Sequence, residues 1–290
     1  MKVTKAVIPA AGYGTRFLPA SKSQPKEMLP IVDTPTIQYV IEEIVDSGIT
    51  DILMVIGKSK RAIEEHFDRN FELEAELEAK NKLAELKVIQ DISGLANIHF
   101  VWQKELNGLG DAVMCARHHV GQEPFVLLLG DTLIESPHGH ATQQLIDIFN
   151  RYQESAVLLE QVDPAKVDRY GIMGGKEIED GLYLVEEFVE KPPLNEAPSN
   201  LAIAGRYIFN PEIFEFLEKT PPGKNGEIQL TDAMQSMLTK RAAYGLKLDG
   251  MRHDIGNKLD FLKTNIHFAL KRDDVGPGLR EYLKEINQNL

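Results

Sequence analysis

Residues 1–26 hold five basic side chains, Lys2, Lys5, Arg16, Lys22 and Lys26, and no acidic one. They surround Gly12 and Gly14, which follow the short apolar run Val3–Ile8. A glycine turn after a buried strand lets backbone N–H groups come close to an anion, because no Cβ blocks the approach and the next helix start adds a favourable dipole. The polyphosphate of a nucleotide suits such a turn, with Arg16 and Lys26 as its cations. Two other phosphate loops are absent. Phe17 occupies the third glycine position of G-x-G-x-x-G, and no Gly-Lys-Ser/Thr follows.

Further along, Phe125–Leu129 and Gly130 lead to Asp131, an acid at the carboxyl end of a buried strand, where open α/β sheets bind ligands. Gln103 offers both a donor and an acceptor from one amide. Other reactive types read as structural. Cys115 lies in an apolar helical pattern with no histidine motif around it, His138 and His140 lack a third ligand at metal spacing, and His118-His119 reads as a helix end.

The charge balance restricts the partners. The 290 residues carry a net −12 with 43% hydrophobic and 26% charged residues, so the chain is globular in composition and repels nucleic acid overall. The first 26 residues carry +5, which leaves −17 on the other 264. A single cysteine excludes an intramolecular disulfide framework, and no apolar run reaches the roughly 18–20 residues of a membrane span. A soluble, cytoplasmic protein is expected.

These side chains need a scaffold, and the pattern supplies an alternating one. Strands are expected at Val3–Ile8, Asp51–Ile56, Ile98–Trp102, Pro124–Leu129 and Ala156–Gln161, with helices at Thr36–Ser47, Gly110–His118 and Thr142–Tyr152. The expected fold is α/β: a Rossmann-like, open, mixed and mostly parallel sheet flanked by helices. Lys60–Leu86 reads as a solvated helical pair with Phe71, Leu73, Leu77, Leu83 and Leu86 turned inward. After Tyr170 the signals turn to hairpins, a small β-rich part on the same sheet, and from Glu227 the chain reads as helical. It closes on an apolar stripe of Leu279, Tyr282, Leu283, Ile286 and Leu290, which suits the protein's own core or a second subunit.

The string Pro9-Ala-Ala-Gly-Tyr-Gly-Thr-Arg-Phe-Leu-Pro19, followed by Pro25-Lys-Glu-Met-Leu-Pro30, resembles the sugar-nucleotide pyrophosphorylases, and more narrowly the bacterial UTP–glucose-1-phosphate uridylyltransferases. Related thymidylyltransferases more often show S-K-Q-L-L-P in the second block, so Glu27 and Met28 favour uridylyl transfer. The resemblance runs nearly to residue 265 and implies a nucleotide-diphospho-sugar transferase fold. It implies one domain over 1–265, with a nucleotide part to about 135, a sugar-phosphate part from about 136, and a C-terminal helical segment over 266–290. By the same resemblance Arg16, Lys26 and Lys191 bind the reacting phosphates, and Ala11, Gly12, Gly14 and Glu27 belong to the nucleotide pocket. Gln103 and Gly108 would contact the uracil. Asp131 and Asp254 would hold Mg²⁺. Gly171, Glu190 and Gly205 would form the sugar side.

Three positions depart from the pattern. Gly130-Asp131-Thr132 stands for Pro-Asp-Val, Asp111 for a common histidine, and Trp102 before Gln103 is atypical. The implied substrates are UTP and glucose 1-phosphate, and the family's common assemblies are homodimers and homotetramers. Another sugar-1-phosphate nucleotidyltransferase, one using dTTP for instance, and a regulatory subunit that binds without turnover remain alternative readings.

Overall fold

The computed structural model describes residues 1–288. In β1 (Lys5–Ala10) the side chains of Ala6, Ile8 and Ala10 pack on one face and Val7 on the other, all buried. An apolar strand of this kind requires both faces to be covered. The chain continues through β2 (Pro30–Ile31), β3 (Thr34–Pro35), α1 (Thr36–Asp46), β4 (Asp51–Ile56), α2 (Arg61–Phe67), α3 (Phe71–Ala79) and α4 (Leu83–Ser93). Next come β5 (Asn97–Trp102), α5 (Leu109–Met114), α6 (Arg117–Val120), β6 (Phe125–Leu128), β7 (Thr132–Glu135), α7 (Ala141–Tyr152) and β8 (Ser155–Gln161). The second half holds β9 (Gly171–Glu179), β10 (Leu182–Glu190), β11 (Leu201–Phe209), α8 (Ile213–Lys219) and α9 (Leu230–Met237). It ends with β12 (Ala243–Lys247), β13 (Met251–Asp254), α10 (Lys258–Lys271) and α11 (Gly276–Gln288).

One nine-stranded sheet runs in the order β5-β4-β1-β6-β11-β8-β12-β10-β9. The strands from β5 to β6 are parallel, as is the β8–β12 pair, whereas β11 runs antiparallel to β6 and β8, and β10 to β9 and β12. The α/β sheet is thus mixed, with its parallel pairing concentrated in the first half. Helices α1 and α7 cover one face through Ile37, Ile41, Ile44, Leu145 and Phe149. The other face is covered by α5, α8 and α9 through Val113, Phe214, Leu217, Leu230 and Met234. Each such side chain contributes about 1.5–3 kcal/mol by leaving water. No helix among the described residues is long and apolar enough to cross a membrane.

Several local expectations are corrected. The stretch after Glu227 is not uniformly helical, because β12 and β13 separate α9 from α10. These strands span five and four residues, too short for a clear alternation. The helix expected at Gly110–His118 is broken into α5 and α6. Phe71, Leu73 and Leu83 do not turn inward but are 67%, 42% and 58% exposed, while Leu77 and Leu86 are half-buried. The order Phe-Glu-Leu-Glu-Ala-Glu-Leu has period 2, and wound into a helix it spreads its apolar residues around the axis. Helix α10 runs through residue 265 without a break, and Leu290 lies outside the described residues.

One polar cluster lies within this core. Arg206 on β11, 1% exposed, donates from Nε and Nη2 to Glu43 of α1 at 2.7–3.1 Å, from Nη1 to the carbonyl of Gly205 at 3.1 Å and from Nη2 to that of Thr132 at 2.8 Å. Glu43 also accepts from Thr142 Oγ1 at 2.6 Å. Burial opposes the Glu43 carboxylate, but Arg206 outweighs it and holds the group below its ordinary pKa. Arg206→Met should therefore cost about 3–5 kcal/mol, since it strands a buried charge, while Glu43→Leu combined with Arg206→Met should cost less. Urea unfolding measures both; a double variant no more stable than Arg206→Met contradicts this account.

Candidate active site

The chain moves from β1 outward to β4 and β5, then returns to place β6 on the other side of β1. The carboxyl ends of β1 and β6 therefore mark a switch point, where an open α/β sheet leaves a crevice. A cavity of about 590 Å³ opens there, lined by Ala11, Gly12, Gly14, Lys26, Glu27, Gln103, Gly108 and Asp131 among others. Eight of the site residues expected from sequence thus meet in one place, drawn from four separate stretches of chain.

Local geometry explains several of the residue types. Gly14 sits at φ 64°, where an added Cβ would lie 3.0 Å from Cβ of Lys26. Gly108, at φ 103°, has Ile228 against it, and the backbone bonds Ile228 N to Asn107 O at 2.7 Å and Gly110 N to Ile228 O at 2.9 Å lock the turn. The Glu227-Ile228 segment thus serves as the buttress of the 107–110 turn, and Glu227 also lines the cavity. Gln103 donates from Nε2 to Asp111 Oδ2 at 2.7 Å and to the Gly108 carbonyl at 3.2 Å. A carboxylate only accepts, so Asp111 fixes which way the amide faces and leaves Oε1 of Gln103 for a ligand.

Lys26 pairs with Asp131 through Nζ and Oδ2. Burial works against both charges, yet each outweighs it for the other: Lys26 is held above its ordinary pKa, with Glu27 adding to the effect, and Asp131 below its own. Glu27 lines the cavity, but its carboxylate accepts from Lys60 at 2.8 Å in a buried ion pair. That pair anchors the Lys26–Met28 turn to the start of α2. Lys60 carried no sequence signal, since it lies in a polar Lys-Ser-Lys loop; only its burial reveals it.

Arg16 lies outside the cavity lining and reaches to within 3.5 Å of the Gly256 carbonyl, beside Asp254. Asp254 itself pairs with Thr132 across the β7–β13 ladder, and Ile255 N donates to the Asp131 carbonyl at 3.0 Å. The two candidate metal acids, more than 120 residues apart in sequence, are therefore neighbours in space. Asp254 Oδ1 accepts from Gly256 N at 2.8 Å. Asp131 Oδ1 stays outside these hydrogen bonds and Asp254 Oδ2 faces Arg252 Nη1 at 3.9 Å, so the two acids offer hard oxygens of the kind a divalent cation takes.

The sugar-side candidates gather separately. Gly171 faces Glu190 across the β9–β10 ladder, and a Cβ on Gly171 would lie 2.9 Å from Thr231 Oγ1. Thr231 donates to Glu190 Oε2 at 2.7 Å, and Lys191 Nζ lies 2.6 Å from Glu190 Oε1. Gly205 stands apart from these, its carbonyl bonded to Leu129 N at 3.0 Å and thus close to Gly130-Asp131. Cys115 is half-buried, and burial pushes its thiol up, away from the reactive thiolate. His138 and His140 each face a different aspartate, Asp249 and Asp46.

This arrangement defines a nucleotide-handling α/β enzyme, and over residues 5–270 the chain matches the model of the nucleotidyl transferase family, to which it belongs. It is similar along its whole length to two curated relatives. One is UTP–glucose-1-phosphate uridylyltransferase 1 of Staphylococcus saprophyticus, 48% identical over 99% of this chain and 100% of that protein. The other is UTP–glucose-1-phosphate uridylyltransferase of Bacillus subtilis, 50% identical over 98% of each. Among solved structures, a UDP-glucose pyrophosphorylase complexed with UDP-glucose superposes with TM-score 0.86 and 40% identity over 93% of this chain and 100% of that one.

The ladder that holds Asp254 is itself anchored by Glu135, which accepts from His253 at 3.1 Å and from His267 and Lys271 at 2.6 Å, tying α10 to β7. Burial alone would raise the Glu135 carboxyl, but these hydrogen bonds outweigh it and lower its pKa from 4.5 to about 2. The stability this supplies is complete above pH 4.5 and is lost as pH falls through about 2. The urea midpoint of Glu135→Gln should accordingly change less between those pH values than that of the parent; parallel curves contradict it.

Proposed function

We infer that the chain catalyses UTP + α-D-glucose 1-phosphate ⇌ UDP-glucose + diphosphate, a uridylyl transfer. The observation that carries this reading is end-to-end similarity, at 48% and 50% identity, to relatives named for that one activity. It favours uridylyl transfer over thymidylyl transfer or binding without turnover. The cleft at the switch point supports it with a basic glycine turn, an oriented glutamine and two neighbouring acids.

In the proposed mechanism an oxygen of the sugar phosphate attacks the α-phosphorus in line, and diphosphate leaves. The nucleophile is already an anion, so no general base is needed; the barrier lies in bringing two polyanions together and stabilising the leaving charge. Backbone N–H groups around Ala11, Gly12 and Gly14 receive the triphosphate, Arg16 takes its β- and γ-phosphates, and Lys26 the α-phosphate. Oε1 of Gln103 accepts the uracil imide N–H, and Gly108 lets the base approach the backbone. Glu190 accepts from glucose hydroxyls, with Gly171 and Gly205 keeping the pocket open, and Lys191 binds the hexose phosphate. Glu27 acts through Lys60 as a positioning residue for Lys26. A divalent metal, which we propose to be Mg²⁺ held by Asp131 and Asp254, would neutralise phosphate charge when bound.

The 1–135 and 136–265 parts are proposed as the nucleotide and sugar-phosphate halves of this site. The exposed Leu259, Leu262 and Ile266 of α10 and Tyr282 of α11 support a homodimer or homotetramer built on the C-terminal helical segment, 266–290 together with α10. A cytoplasmic location suits the single thiol and these substrates.

Incubation with Mg²⁺, UTP and glucose 1-phosphate should release diphosphate, faster than with dTTP; faster turnover of dTTP, or none of UTP, overturns the assignment. Lys191→Ala should raise KM for glucose 1-phosphate far more than KM for UTP, and equal effects would remove Lys191 from its place. Asp131→Asn should lower kcat about 30- to 1000-fold at saturating Mg²⁺, the loss of one charge-assisted contact worth about 2–4 kcal/mol. Near-normal turnover would exclude Asp131.

A further inference from the structure

We propose that Asp51, His99 and His119 form a binding site for one divalent transition-metal ion, Zn²⁺ first among them, at the end of the sheet opposite the cleft. The three side chains come from three elements: the start of β4, the middle of β5 and the end of α6. Asp51 pairs with Asn97 and Leu53 with His99, so His99 projects on the same face as Asp51, one diagonal step away. His119 arrives over that face, its carbonyl held by Lys5 Nζ at 2.9 Å.

The ligand atoms already converge. His119 Nε2 lies 2.8 Å and His99 Nε2 3.7 Å from Asp51 Oδ1, and all three atoms lie within 4.8 Å of one another. Ligands about 2.0–2.2 Å from a tetrahedral zinc are separated by roughly 3.4 Å, so small side-chain rotations complete the geometry. Two imidazoles with one carboxylate select a borderline ion over Mg²⁺ or Ca²⁺, and the partial exposure of the three groups gives the ion a path and a water for the fourth position.

The local charges allow it. Lys5, which pairs with Asp51 in the β1–β4 ladder, is neutralised by Glu123 at 2.9 Å, and the Asp51 carboxylate has no ion pair with a lysine or arginine among the described residues. The second cluster of this composition, Glu135 with His253 and His267, has its carboxylate occupied by Lys271. His99 makes no hydrogen bond among the described residues, although it stands against the His119 ring at 4.9 Å between centroids. A metal ion would bond the His99 ring nitrogen and tie β4, β5 and α6 together.

The test uses the full chain, stripped with a chelator and kept in excess Mg²⁺ to fill hard-oxygen sites, and titrated with Zn²⁺ against a chromophoric indicator. One Zn²⁺ per chain at micromolar affinity or tighter is expected. His99→Ala and His119→Ala should each weaken it roughly tenfold or more, and uridylyl transfer should be unchanged because none of the three residues lies in the cleft. Zn²⁺ should also raise the melting temperature of the parent but not of the double variant. His99→Ala, on an edge strand, keeps the test open if His119→Ala fails to fold. The proposal is overturned if no Zn²⁺ binds at micromolar concentration, or if the variant carrying both His99→Ala and His119→Ala binds as tightly as the parent.

Discussion

Asp131 can stand where it does because a fully buried guanidinium holds the backbone next to it, at Thr132, to that of the neighbouring strand β11. Arg206 bonds the carbonyls of Thr132 and Gly205, and Glu43 holds Arg206 in turn. Through Glu43 the cluster reaches α1, and through Thr142 it reaches α7, the two helices that cover one face of the sheet. An ion pair in such a place adds little net stability over apolar residues of similar volume. What it adds is definition. A hydrophobic core tolerates sliding, whereas a bidentate guanidinium with four acceptors fixed in direction leaves β6, β7 and β11 one relative position.

The scaffold was legible where a strand is buried on both faces. Val3–Ile8, Asp51–Ile56 and Phe125–Leu129 announce themselves as β-branched or apolar runs, and their positions set the crevice at the ends of β1 and β6. The cleft-lining residues were legible because they stand in short contiguous strings. Partners fixed only by distant contacts were not. Glu43 reads as a polar-face residue of a helix, Arg206 as a charge inside an otherwise apolar strand, and Lys60 as loop decoration; each acquires its role from a residue between 33 and 163 positions away. The strands β12 and β13 were hidden for a different reason, since five and four residues with a central glycine or a charged pair carry too little pattern. In α3 the pattern itself misled: alternation points to a strand and propensity to a helix, and the helix wins at the cost of exposing Phe71 and Leu73.

The acidic character of the chain sits easily with anionic ligands once its distribution is seen. Of the five basic residues among the first 26, Lys26 lines the cleft and Arg16 stands beside Asp254, while Lys5 pairs with Glu123 at the far end of the sheet; part of the acidic excess lies on the exposed Glu65, Glu72, Glu76 and Glu78 of α2 and α3. Charges further than about 10 Å apart are screened in salt, so the surface acids scarcely weaken the field inside the cleft. Net charge governs what the molecule meets at long range, and local charge governs what it holds.

The Lys26–Asp131 pair has one more consequence. Paired, these two groups neutralise one another, and each keeps the other charged against the cost of burial. An anion that recruits the ammonium leaves the carboxylate uncompensated, and a cation that recruits the carboxylate frees the ammonium. The affinities for the two ligands are thereby linked: each must raise the other by the same factor, whichever arrives first. A single salt bridge would thus couple ions of opposite sign that bind at these two groups.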